Sequence, residues 1–207
     1  MEWGIFGVAV LMILVSYAII QETRAQLYWR DLVARGDVKA ISELVGVEVE
    51  RWKTERVPKG IPSLLWHGVQ TIELLEVTAK GAHVSCNADA EYALVGGRRI
   101  EASSPLAEGM KITMKLAEKL LYDIPNVKLD YVQIDVYTSF REESGQAETR
   151  CILSTLVQRK EIEELDWEET PAADFVDLLK GRFSAGGGAS ARPIEPISWP
   201  SETAARA

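Results

Sequence analysis

Cysteine and histidine are scarce in this chain, and that scarcity excludes a good deal. Two cysteines, Cys86 and Cys151, in 207 residues cannot build the disulfide framework of a small secreted scaffold. Together with His67 and His83 they are the natural zinc donors. No C-x-x-C pair occurs, however, and His83 and Cys86 fall on opposite faces of one extended run, so they cannot converge at the ~2.0–2.3 Å that zinc requires. Basic charge is also short. Lys and Arg number 23 against 31 Asp and Glu, a net charge of −8, which disfavours nucleic-acid recognition through a general basic surface.

The motifs of common catalytic folds are missing as well. There is no phosphate cradle of the G-x-x-x-x-G-K-[ST] kind, and the run Gly186-Gly187-Gly188 has neither a strand before it nor a helix after it. There is no G-x-S-x-G elbow, and the only thiol–imidazole combination to consider, Cys86 with His67, carries no supporting motif. Asp130 and Asp135 point to opposite sides of a regular strand, and the following strand lacks the acidic-x-Lys triplet of a restriction-like nuclease. The sequence therefore nominates no catalytic residue, metal site or cofactor.

What is present begins with Trp3 to Ile20, a run without charge or proline. As a helix it rises ~27 Å, close to the thickness of a hydrocarbon core. It shows no polar face, unlike a buried helix of an ordinary core. No basic residue precedes it and no convincing cleavage site follows, so it reads as an uncleaved signal anchor. Arg24, Arg30, Arg35 and Lys39 flank it downstream, which predicts a single-pass protein of the cell membrane with its N-terminus outside and its C-terminal domain in the cytoplasm. Trp3 at one end, and Tyr17, Tyr28 and Trp29 towards the other, suit the two membrane interfaces.

No breaker interrupts the helix until Gly36, and Asp37 then caps a second helix with Val38, Ile41, Leu44, Val45, Val49 and Trp52 on one stripe. Residues 1–21 are thus read as anchor and 22–58 as helical neck. From Ile61 the period changes. Val69–Ala79, Ala82–Ala88, Glu91–Val95 and Arg98–Ala102 read as a meander of antiparallel strands, with Gly96-Gly97 as a two-residue hairpin turn. Arg98 and Arg99 at that tip are solvated turn charges or contacts to anionic headgroups.

Ser104 caps a helix opened by Pro105, whose apolar row is Leu106, Met110, Ala117, Leu120, Leu121 and Ile124. The clearest alternation follows: Val132, Ile134, Val136 and Phe140 share one face, and Tyr131, Gln133, Asp135 and Tyr137 the other. In the next strand Cys151, Leu153, Thr155 and Val157 alternate, which puts Cys151 on the core face. An acidic stretch, EIEELDWEE, leads to a helix opened by Pro171 and stopped at Gly181.

The resulting architecture is α+β: a single transmembrane helix, a helical neck, and an antiparallel-sheet domain over 59–183 in the order β-β-β(-β)-α-β-β-α. Residues 184–207, rich in glycine, proline, serine and alanine, read as a disordered tail. Within it Ile194, Ile197 and Trp199 form a possible docking motif.

Two functions fit. One is a membrane-anchored, non-enzymatic scaffold, assembly or accessory subunit that binds another membrane protein. The other is a small-ligand sensing domain tethered to the bilayer, with Tyr131, Gln133, Asp135 and Tyr137 as its ligand face.

Overall fold

The computed structural model describes residues 2–141, 147–184 and 191–200; the side chains of residues 2–10, Gln26 and Arg141 lie outside that description. Helix α1 spans Glu2–Ala34 and α2 Val38–Thr54. The Asp37 carboxylate accepts from the amide of Ala40 at 3.1 Å, satisfying one of the free amides at the start of α2. Ile41, Val45, Val49 and Trp52 are buried in the same core as the sheet, so α2 is packed onto the domain.

Among the described residues no helix is long and apolar enough to cross a membrane. The side chains of Trp3 and of the run up to residue 10 lie outside that description.

The chain continues through α3 (Ser63–Gln70), β1 (Glu73–Val77), β2 (Gly81–Asn87), β3 (Glu91–Val95), β4 (Arg98–Ser103) and α4 (Pro105–Glu118), which widens into a π turn at Lys119–Asp123. Then come β5 (Tyr131–Arg141), β6 (Ala147–Gln158), α5 (Ala172–Leu178) and the short β7 (Arg182–Phe183). The fold is α+β, with a five-stranded sheet ordered β1-β2-β5-β6-β7 and a separate β3-β4 pair.

Five expectations are corrected. The sheet is mixed: β2 and β5 run parallel, because α4 carries the chain back across the core face before β5 enters beside β2. Residues 63–70 are helical, with Trp66 and Val69 turned inward one helical turn apart, so the strand expected from Val69 begins at Glu73. The β3–β4 hairpin does not join the main sheet.

The fourth correction concerns Cys151. The register of β5 with β6 shifts so that Val136 faces Leu153 but Tyr137 faces Cys151, leaving Ile152 as the extra residue of a bulge. A bulge inverts the alternation beyond it, and Cys151 joins Tyr137 on the face away from the helices. The fifth concerns the tail: residues 191–200 lie against the domain and are held there by hydrogen bonds and ring contacts given below. Residues 185–190 and 201–207, the rest of the expected disordered tail, lie outside the described residues.

The core sits between the sheet and α2, α3, α4 and α5. Ala82, Val84 and Cys86 of β2, with Val132, Ile134 and Val136 of β5, share this core with Leu106, Met110, Leu116 and Ala117 of α4 and Leu120 of the π turn. Gly109 lets α4 approach β5 closely, since a Cβ there would stand 3.1 Å from Val136 Cγ1 and push that side chain aside. The acidic stretch is also part of the packing: Ile162 is fully buried, and Leu165 and Trp167 lie against the core.

Candidate functional site

With the helices on one face, the residues of opposite parity in β2, β5 and β6 make the other. His83 of β2 lies beside Gln133 of β5, and Asp135 of β5 beside Ser154 of β6. Two of the four residues nominated from the strand alternation, Gln133 and Asp135, are at the centre of this face and are 0% and 1% exposed. Tyr131 and Tyr137 flank them half-buried.

A buried carboxylate needs partners, and Asp135 has them. His83 Nε2 stands 2.7 Å from one oxygen, and the Ser154 hydroxyl donates to the other at 2.5 Å. Gln133 Nε2 is 3.4 Å from the same oxygen as the serine.

The cover over this face is the chain's own tail. The segment starts at the sheet edge, where the amide of Ile194 donates to the carbonyl of Cys151 at 2.9 Å and the Arg182 guanidinium donates to the carbonyl of Glu195 at 3.2 Å. It then crosses β6 and β5. Ile197 is held at both backbone groups: its N–H donates to Ser154 Oγ at 2.9 Å and its C=O accepts from Gln133 Nε2 at 2.7 Å. The segment ends over β2, where the Trp199 ring stacks on His83 at 5.2 Å and 14° and leans on Tyr131 at 5.4 Å. Pro193, Pro196 and Pro200 fix φ along the segment and reduce the entropy lost on docking.

All three residues of the sequence-level docking motif, Ile194, Ile197 and Trp199, are therefore in this contact and half-buried. The fit is incomplete. Gln133 Oε1 and Trp199 Nε1 are buried without a hydrogen-bond partner among the described residues, and such an orphan costs about 1–3 kcal/mol.

Comparison with known proteins finds no matching protein family, no similar curated protein and no similar solved structure. The reading of the site therefore rests on its own geometry.

That geometry suits binding. Ser154, Asp135 and His83 are the residue types of a nucleophilic triad in the wrong connection: the serine hydroxyl donates its hydrogen bond to the carboxylate, and among the described residues no base is hydrogen-bonded to the serine oxygen. The nearby thiols are buried and held in the protonated form. Burial, the negative charge of Asp135 and proximity of the second thiol push the Cys86 thiol up, and burial followed by the Asp135 charge pushes Cys151 up to about 12. Burial, then Cys151 and Asp135, raise the Tyr137 phenol.

Cys86 lies in the core, and no hydrogen bond joins it to the exposed His67 among the described residues. Among those residues no cluster of His, Cys, Asp and Glu could hold a metal ion.

Beside the tail a cavity of about 570 Å³ opens between Lys128, Tyr131, Leu156, Arg159, Lys160 and Pro200. Of the nominated ligand face only Tyr131 lines it. The proposed interface aromatics are on α1: Tyr17 and Tyr28 are exposed, and Trp29 packs edge-on against Tyr28 at 6.1 Å.

Sequence reasoning missed His83 and Ser154 as partners of Asp135. The alternation of each strand was visible, but the register that aligns them was not. It also missed Lys119, a 7% exposed lysine whose ammonium lies over the rings of Trp52 and Trp66 at 4.7 and 5.2 Å.

Proposed function

We propose that this protein is a membrane-anchored, non-enzymatic scaffold, assembly or accessory subunit that takes an extended segment of another protein on the sheet face its own tail covers. The observation that carries the reading is the double hold on the Ile197 backbone by Ser154 and Gln133, beside an aromatic seat for Trp199. Backbone hydrogen bonds supply affinity for any extended segment, and the aromatic seat supplies selectivity. The unpaired Gln133 Oε1 can be satisfied by an incoming segment, and displacement of the tail returns the unpaired Trp199 Nε1 to water; both leave the tail replaceable.

Anchoring is supported by the sequence run Trp3–Ile20 and by the described part of α1, where Leu11, Met12, Ile13, Leu14, Ile19 and Ile20 are all exposed. The flanking arginines support a cytoplasmic domain. Cleavage of the C-terminal tail by protease added outside sealed vesicles would overturn that orientation.

The reading predicts co-purification with a larger membrane protein after gentle detergent extraction, and more of it from a Trp199→Ala variant, whose tail no longer competes. Repeated isolation of a partner-free chain from both variants would count against it.

The tethered small-ligand domain is the second reading, and the cavity lined by Tyr131 and Pro200 favours it. A thermal-shift screen tests it, because a ligand that binds only the folded state raises the melting temperature.

A further inference from the structure

The β3–β4 hairpin stands apart from the site above and has its own surface, unpartnered among the described residues. Both glycines of its loop have positive φ, 59° and 77°, the type I′ geometry that matches strand twist. Every residue from Glu91 to Ala102 on the two strands is exposed, Leu94 at 80%. A lone hairpin is marginal in water, and a free edge with exposed apolar side chains is a template for pairing.

Which edge is used, and by what, follows from the register. Val95 faces Arg98 across the two-residue loop, Leu94 faces Arg99, and Ala93 faces Ile100. A two-residue loop closes on a hydrogen-bonded pair, and bonded and non-bonded pairs then alternate. The backbone groups of Arg98 and Ile100 are therefore used against β3, and those of Arg99 and Glu101 point outward from β4. Among the described residues β4 pairs only with β3.

We propose that β4 pairs antiparallel with β4 of a second copy, about a two-fold axis at Ile100. The symmetry sets Ile100 against Ile100 as a non-bonded pair. It sets Arg99 against Glu101 of the other copy twice, each as a bonded pair with opposite charges directly opposed. Arg98 falls opposite Ala102, so no like charges meet head-on.

The same operation on β3, centred on Ala93, sets Tyr92 against Leu94 and joins no charges. An anionic bilayer would attract Arg98 and Arg99 but repel Glu101 and Glu91; a second copy matches both signs. Arg99 also lies 3.9 Å from the Tyr92 ring, which holds its guanidinium near the sheet.

The test is made on the full-length protein in detergent. Copper-catalysed air oxidation of an Ile100→Cys variant gives a disulfide-linked dimer, because opposed Cβ atoms in a non-bonded pair lie ~4.5–5.5 Å apart. A Leu94→Cys variant, on the other edge, stays monomeric. The native thiols are buried and do not compete.

Glu101→Arg lowers the yield of linked dimer at fixed concentration by about tenfold, the scale of two cross-strand charge pairs reversed, and adding Arg99→Glu restores it. A folded Ile100→Cys variant that does not link, equal linking by Leu94→Cys, or indifference to the charge reversal overturns the proposal. Binding of the hairpin to anionic vesicles or to another protein by a chain that stays monomeric also overturns it.

Discussion

The tail and the β3–β4 hairpin invert what their sequences promise. The hairpin has strong local signals: strand formers on either side, Gly96-Gly97 between them, and positive φ at both glycines. It forms, yet it leaves Tyr92, Leu94, Val95 and Ile100 exposed. The tail has no periodicity at all. It is nonetheless fixed across the sheet by the Ile194 and Ile197 backbone bonds and by the stacking of Trp199. Propensity decides whether a local shape forms. Whether that shape is covered depends on what the distant chain offers, here a row of hydrogen-bonding side chains on β5 and β6.

That contrast can be broken by substitution. The largest effect is expected at Asp135, which serves His83 and Ser154 together. Asp135→Ala removes the acceptor of the buried Ser154 hydroxyl and the carboxylate partner of the half-buried His83, and should lower the unfolding free energy by about 3 kcal/mol, read by urea titration.

Trp199→Ala removes the ring over His83 and Tyr131. A loss of about 2 kcal/mol is expected, with protease cleavage appearing first within residues 191–200. The same variant should admit alkylating reagents to Cys151, which is 4% exposed and bonded through its carbonyl to the Ile194 amide of the tail.

Ser154→Ala deletes the acceptor of the Ile197 amide and one donor to Asp135. It should lower stability by about 1–2 kcal/mol and raise amide exchange at Ile197 more than at the sheet. The smallest effect belongs to the hairpin: Leu94→Ser should shift domain stability by less than about 0.5 kcal/mol in calorimetry, because the side chain has no cover to lose.

Much of the fold was legible in residue pattern. Asp37 and Ser104 as caps, the Leu106–Ile124 row and the two faces of β5 all follow from local chemistry, and each is present. The parallel step between β2 and β5 was not legible, because it depends on where α4 sets the chain down. Cys151 was misplaced because a single inserted residue, Ile152, reverses parity without leaving a mark in composition.

The site was half legible. Gln133 and Asp135 stood out on one strand, and Ile194, Ile197 and Trp199 stood out in the tail. Nothing in either stretch indicated that one lies on the other, across a separation set only by the folded sheet.

The most direct measurement is titration with a fluorescent peptide of residues 191–200, added in trans to full-length wild-type and Trp199→Ala protein. If the sheet face is a segment-binding groove held by the tail, the Trp199→Ala chain binds the peptide, the wild type binds little, and a peptide with its own tryptophan replaced by alanine binds neither. A folded Trp199→Ala chain that ignores the peptide, or equal binding by both chains, would contradict the account.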